Sequence, residues 1–350
     1  MRRTVSSINT TWPKDSQGNP VVKVRDLPDL GFPLYTGTQH SFAQANTQIT
    51  LTNVPPPNRP INTLLLSNSP ERVTASRGLF HHRLTAAGAR LVYHHQNFSG
   101  GMIEFNLRLV NPSDKTAWVW LSDANGGPGP DEVFVGHTAV RRWLELHYRQ
   151  AGQLLALPPR SQFWINRIFM YPKEIISGLL EGLVIEGEGV FLDVYARATG
   201  ETEPPLETYQ QGPVYRLERL DVRTQHTHTA GRATLLSLGE GAFKTLEGQT
   251  IKGSWGSFYT YDILLRNPDP KVREVMFQLS ADGGIARGMI WLEGELIELP
   301  LLKPSQPYEL RRFSLKPGEE RRITLSTLPA SGSNYPLRLL LLEPAGPEGR

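Results

Sequence analysis

Met102-Ile103-Glu104-Phe105-Asn106-Leu107-Arg108-Leu109-Val110-Asn111-Pro112 is the stretch whose reading decides the fold. Ile103, Phe105, Leu107 and Leu109 fall on one side of an extended chain, and Glu104, Asn106 and Arg108 on the other. That two-residue period is the signature of a strand with one face against a core. Asn111-Pro112 then ends it, because proline has no N–H to offer a ladder. A second stretch repeats the device: Tyr259, Tyr261, Ile263 and Leu265 alternate in the same phase and run into Asn267-Pro268.

The likeness continues downstream of both. Each Asn-Pro is followed by a short apolar strand, ending in Leu121-Ser122 or Leu279-Ser280, and then by a small-residue turn, Asp123-Ala124-Asn125-Gly126-Gly127 or Ala281-Asp282-Gly283-Gly284. Leu157-Pro158-Pro159 likewise resembles Leu315-Lys316-Pro317-Gly318. The sequence therefore predicts an all-β chain of two tandem antiparallel β-sandwich domains related by duplication. The expected layout is an extended N-terminal arm over 1–60, a first sandwich over 61–198 and a linker over 199–212. A second sandwich over 213–343 and a flexible tail over 344–350 complete it. Gly78–Leu84 and Ala89–His95 read as a hairpin about Ala86-Ala87-Gly88. One helix is expected near 138–151: Thr138 is placed to cap it, Val140, Trp143, Leu144 and His147 share a face, and Gly152 ends it.

Composition agrees with many short strands. Among 350 residues, 32 Gly and 28 Pro punctuate the chain, and 39% hydrophobic with 20% charged residues suits a packed protein. Thirty-seven basic against thirty-four acidic residues leave a net charge of +3, too little for a nucleic-acid footprint. There is no cysteine, which excludes disulfides, thiolate metal sites and a thiol nucleophile. No stretch is long and apolar enough to span a bilayer: the run from Ile175 to Ala196 is broken by Glu181, Glu186 and Glu188. Met-Arg-Arg at the start has no apolar run behind it, so no signal peptide is visible.

Ile61 to Ser69 with Pro70-Glu71, Tyr93-His94-His95 and Asn111-Pro112 resemble an uncharacterised family of predicted exported proteins, best known from photosynthetic bacteria. So do Gly256 to Tyr261, Asn267-Pro268 and Leu315 to Glu319. The resemblance covers about Ile61 to Leu342 and implies a two-part β architecture in the cell envelope or outside the cell. It carries over no catalytic residue, and a cytoplasmic location stays open beside the exported one.

Nucleophile elbows, phosphate-binding loops and dinucleotide fingerprints are all missing. The leading expectation is a non-catalytic surface or extracellular protein, with no cofactor, that works through contacts with itself, another surface protein or a glycan. Aligning Leu121 with Leu279 turns Ala117, Val119 and Leu121 inward. Trp118 and Trp120 then face outward, as a candidate glycan platform or as a surface that the helix or the other domain covers. A metal-dependent enzyme is the further alternative, built on His81, His82, His94 and His95 of the expected hairpin, with His137 or His147 as third ligand. Asp123, Asn125, Asp131 and Glu132 are the calcium candidates, four oxygen-bearing side chains in a glycine-rich loop.

Overall fold

The computed structural model describes Pro57, residues 61–252 and residues 255–344. The expected N-terminal arm, apart from Pro57, and the tail beyond Pro344 lie outside the described residues.

The first half contributes β1 (Thr63–Ser67), β2 (Arg72–Val73), β3 (Arg77–Leu84), β4 (Ala89–Asn97), β5 (Ile103–Asn111) and β6 (Ala117–Gly129). Helix α1 (Glu132–Tyr148) follows, then β7 (Gln153–Leu157), β8 (Ser161–Met170), β9 (Ile175–Glu186) and β10 (Val190–Ala198). One sheet runs β11-β1-β4-β9-β6-β7, where β11 is Val214–Arg216, and β2 also joins β4; the facing sheet runs β3-β10-β5-β8. Phe105, Leu107 and Leu109 from one sheet meet Leu91, Val119, Leu121 and Leu180 from the other in a buried core. The alternation read around residues 103–111 and 117–121 thus turns inward as expected.

The second half contributes β12 (Asp221–Thr229), β13 (Thr234–Leu238), a small hairpin of β14 (Ala242–Lys244) and β15 (Thr250–Lys252), β16 (Phe258–Arg266) and β17 (Arg273–Ala281). Then come β18 (Met289–Leu292), β19 (Glu295–Glu298), β20 (Tyr308–Leu315), β21 (Glu320–Thr327) and β22 (Leu337–Leu342). Its sheets run β12-β16-β21-β18-β19 and β13-β22-β17-β20, around a second core that includes Tyr259, Ile263, Phe277 and Leu339. Among the described residues the fold is all-β apart from α1 and one 3-10 turn at Leu206–Thr208.

The two sandwiches share one strand order. β1-β4-β9-β6-β7 corresponds to β12-β16-β21-β18-β19, and β3-β10-β5-β8 to β13-β22-β17-β20. The first pair is parallel in both, β1 with β4 and β12 with β16. The register even shifts at one place, after the fifth residue of β5 and likewise of β17: between Leu107 and Arg108, and between Phe277 and Gln278.

This order corrects the pairing of Asn111 with Asn267. It equates β16 with β4, so the counterpart of Asn267 is Asn97, one strand earlier. The sequence likeness arises because one corner device is used three times. Asn267 donates Nδ2 to the carbonyls of Lys271 and Leu315, and Asn111 to those of Lys115 and Leu157. Asn97 does the same to Gly101 and Met170. Each satisfies buried backbone acceptors at a sandwich end, where no ladder can reach them.

The expected hairpin is also corrected. β3 pairs with β10 and β4 with β1 and β9, so Ala86-Ala87-Gly88 carries the chain across from one sheet to the other. Each strand serves its own sheet. Segment 199–212 is packed rather than free: Tyr209 is buried against Gly78, whose N–H donates to Thr208 Oγ1.

Helix α1 begins six residues before the expected cap. Asp131 caps it, its Oδ1 accepting from the Phe134 N–H at 2.9 Å. Val133, Val135 and Gly136 are poor helix formers, and this hid the first turn in the sequence. The helix ends at Tyr148, followed by Gln150 at φ 49°, before Gly152 is reached.

Candidate functional site

Helix α1 lies between the two sandwiches. Its buried side includes Ala139, Val140, Trp143 and Leu144. These meet Leu64, Val92 and Leu179 from the outer face of the first sandwich, and Phe258, Met289 and Leu328 from the second, in one apolar cluster. At Gly136 the contact is backbone on backbone, because a Cβ there would sit 2.0 Å from the Ser331 carbonyl oxygen.

Arg90 joins the halves with charge. Fully buried on β4, it donates Nε to Glu181 Oε1 at 2.7 Å in its own sandwich. Its Nη1 reaches Asp221 Oδ1 at 3.0 Å and the Gly256 carbonyl at 2.6 Å in the other. The guanidinium lies 4.8 Å over the Trp143 ring. Burial alone would lower its pKa, but the two carboxylates outweigh that and hold it above the ordinary value. At the other end of the helix interface, buried His137 donates Nε2–H to Glu298 at 3.0 Å. Burial keeps the His137 pKa below its usual value despite Glu298.

Beside this weld the helix end and the second sandwich leave an open groove of about 390 Å³. Arg141, Glu145 and Arg149 stand on its helix side, and Glu298 and Leu296 on the sheet side. Along it the Tyr148 ring stacks flat on Trp291, centroids 3.6 Å apart and planes 10° apart. Burial pushes the Tyr148 phenol up to about 12. Trp291 also stands in a row across the sheet: Arg223, Thr260, Ser326, Trp291 and Leu296 are register partners in turn and share its outer face. Thr260 and Ser326 exchange a hydroxyl hydrogen bond of 3.1 Å.

On the far side of the helix end is a smaller pocket of about 140 Å³, where Ser122, His147 and Glu181 all line the wall. Among the described residues no hydrogen bond links these three. His147 instead stacks on Trp143 and meets the Phe258 ring at a tilt, both at 4.7 Å, an arrangement that fixes the ring as packing.

The outward tryptophans do not form a pair. Trp118 is 38% exposed, whereas Trp120 is 2% exposed, closed over by the turn at Gly152 after the helix. A single half-exposed ring remains.

The histidines are dispersed with their hairpin. His81 shares a 2.7 Å hydrogen bond through Nδ1 with Asp193 and stacks on Phe191. His82, on the same strand, is half-buried beside it. His94 bonds through Nδ1 to Ser177, with Glu132 3.8 Å from its Nε2. His95 donates Nδ1–H to the Pro70 carbonyl at 3.0 Å and accepts from Ser67 at Nε2, 2.9 Å. Among the described residues no three His, Asp or Glu side chains converge to hold a metal ion.

The calcium candidates are dispersed too. Asp123 and Asn125 lie on β6, Asp131 caps α1 and Glu132 opens it. Around Asp123 the amides are already committed: Asn166 Nδ2 donates to Asp123 Oδ2 at 3.0 Å and Asn125 Nδ2 to Asn166 Oδ1 at 3.1 Å. Arg142 occupies Asn125 Oδ1. Asp123 Oδ1 has no hydrogen-bond partner among the described residues, but Asp123, Asp131 and Glu132 do not gather into one group, and calcium needs six or more oxygens. Asp123 is better suited to a proton, since burial pushes it up to about 6.

Burial drives the His95 pKa from 6.5 down to about 3. A depressed base is neutral in the fold and protonated in the unfolded chain below its ordinary pKa. Its contribution to stability is therefore complete above about pH 6.5 and is lost as pH falls towards 3. Urea unfolding between pH 7 and pH 4 is expected to show a steeper loss for the native protein than for His95→Gln. Parallel curves would mean that His95 is charged in the fold.

Tyr148, Arg149 and Trp291 escaped the sequence reading. Met289-Ile290-Trp291-Leu292 shows apolar character, but nothing local to it reports that a helix from the other half comes to rest there.

No family model matches the sequence, and no curated protein matches it. Solved structures similar to it include a multicopper oxidase from Campylobacter jejuni, described as a metallo-oxidase, at 9% identity and TM-score 0.11 over 68% of this chain and 47% of that one. Lac15 from a marine microbial metagenome is similar at 9% identity and TM-score 0.14, over 78% of this chain and 61% of that one. The N-terminal CBM22-1-CBM22-2 tandem domain of Paenibacillus barcinonensis Xyn10C is similar at 13% identity and TM-score 0.12, over 72% and 75%. The chain thus spans about half the length of the first of these. At such TM-scores the overlaps decide nothing about activity.

Proposed function

We propose that this chain is a non-catalytic protein of the cell envelope or extracellular space that works by binding, with the groove beside helix α1 as its contact face and a glycan as its ligand. The observation that carries the reading is the Tyr148–Trp291 stack in an open groove lined by guanidinium and carboxylate groups. Aromatic carbon packs against the C–H face of a sugar ring, while fixed polar groups around it take the hydroxyls. Thr260, two strands along the same row from Trp291, adds a half-buried hydroxyl. The location is supported by the family resemblance. No helix among the described residues is long and apolar enough to cross a membrane, which is compatible with it. Duplication of one sandwich is supported by the shared strand order and the shared bulge.

A glycan array probed with the whole chain, beside its Trp291→Ala and Trp118→Ala variants, tests this. Loss of the Trp291 ring is expected to weaken retention about tenfold or more, roughly 1.4 kcal/mol, while Trp118→Ala changes it little. A chain that retains no immobilised glycan at all removes the reading.

A further inference from the structure

Charges around the groove pair off unevenly. Arg141 donates Nε to Glu145 at 3.2 Å on the helix itself, and lies 4.0 Å from Glu298. Glu298 is already held by His137 at 3.0 Å and by Arg287 at 2.5 Å. Both groove carboxylates are therefore committed to cations. Arg149 is exposed, and among the described residues no carboxylate pairs with its guanidinium. The uncommitted charge of the groove is positive, and it belongs to the residue next to Tyr148, whose ring rests on Trp291.

We infer that the groove selects an acidic saccharide, with the Arg149 guanidinium taking the carboxylate of a uronic acid whose ring packs at the Tyr148–Trp291 stack. This rests on the glycan reading above and narrows it. A planar guanidinium offers two parallel N–H donors that match the two oxygens of a carboxylate, a geometry that ammonium lacks. A neutral sugar would leave Arg149 to water at little cost. The selection is thus a preference of a few-fold, and, being at the surface, one that salt screens.

The other use for a cation at this place is local. Arg149 is the C-cap residue of α1, where positive charge complements the helix dipole. That role would show in thermal stability and not in ligand choice.

Calorimetric titration of the whole chain with trigalacturonic acid and with its methyl ester separates the possibilities, because the ester keeps the sugar's shape and removes its charge. The acid is expected to bind about three- to tenfold more tightly at low salt, with the preference shrinking at 0.5 M salt as the charges are screened (roughly a 3–10 Å Debye length). Arg149→Gln is expected to bring the acid-to-ester ratio close to one, and Arg149→Lys to restore part of it. Equal affinity of the native chain for acid and ester overturns the inference and leaves the glycan reading standing. So does a ratio that survives in Arg149→Gln, or binding of neutral glycans on the array with none of either titrant. Arg149→Gln that lowers the melting temperature and leaves the ratio untouched assigns Arg149 to the helix dipole. Tighter binding of a sulfated than of a uronic trisaccharide overturns the carboxylate assignment. A chain that binds no glycan removes the glycan reading and this one together.

Discussion

Arg90→Leu is expected to destabilise the protein by about 3 kcal/mol, the low end of what removing one partner from a buried ion pair costs. Arg90 is 2% exposed, and the Glu181 side chain it binds is 12% exposed, so the variant would leave that carboxylate in a low-dielectric site without its cation. Asp221, at 52%, is solvated well enough to add little. Loss of the Gly256 carbonyl's partner and of the cation above Trp143 adds to the effect. Because the same guanidinium touches both sandwiches, their unfolding is also expected to separate. Denaturant titration followed by Trp fluorescence and by far-UV circular dichroism would show two transitions where the native chain shows one. Coincident transitions with less than about 1 kcal/mol lost would mean that the apolar cluster around Trp143 joins the halves unaided.

Gly136→Ala sets two physical effects against each other. Helix propensity alone favours alanine by about 1 kcal/mol in a helix interior. Packing opposes it: the new Cβ would lie 2.0 Å from the Ser331 carbonyl oxygen and 2.7 Å from its carbon, and both atoms are backbone. Neither can rotate away, so helix and second sandwich must move apart. A net loss of about 2 kcal/mol is expected, within the usual cost of overpacking. Gly100→Ala is the control, because nothing lies within 4 Å of a Cβ placed there. A Gly136→Ala protein as stable as the native one would show that the two halves slide past one another without penalty. The groove would then have no fixed width.

Both predictions concern contacts between parts far apart in sequence, and neither was legible there. Strand content was legible, because alternation such as that of Ile103 to Leu109 records which side of a strand meets a core, whatever it pairs with. Pairing was not: His81, His82, His94 and His95 were expected on one hairpin, and β3 and β4 went to different sheets. A short link such as Ala86-Ala87-Gly88 can close a hairpin or carry the chain between layers, and its residues allow both. The Asp123 to Glu132 stretch was misread for a related reason. Acidic and glycine-rich residues suit a cation loop, a strand end and a helix cap alike, and here they make the last two.

By itself the sequence determined that this chain builds two β-sandwich cores, since the polarity of each residue reports its own transfer between water and a packed interior. Only the tertiary structure decided that a helix fills the space between them, that Trp120 is covered while Trp291 borders a groove, and that Arg90 is shared. Those outcomes depend on which surfaces meet, and the free energy of a meeting belongs to the pair rather than to either residue alone.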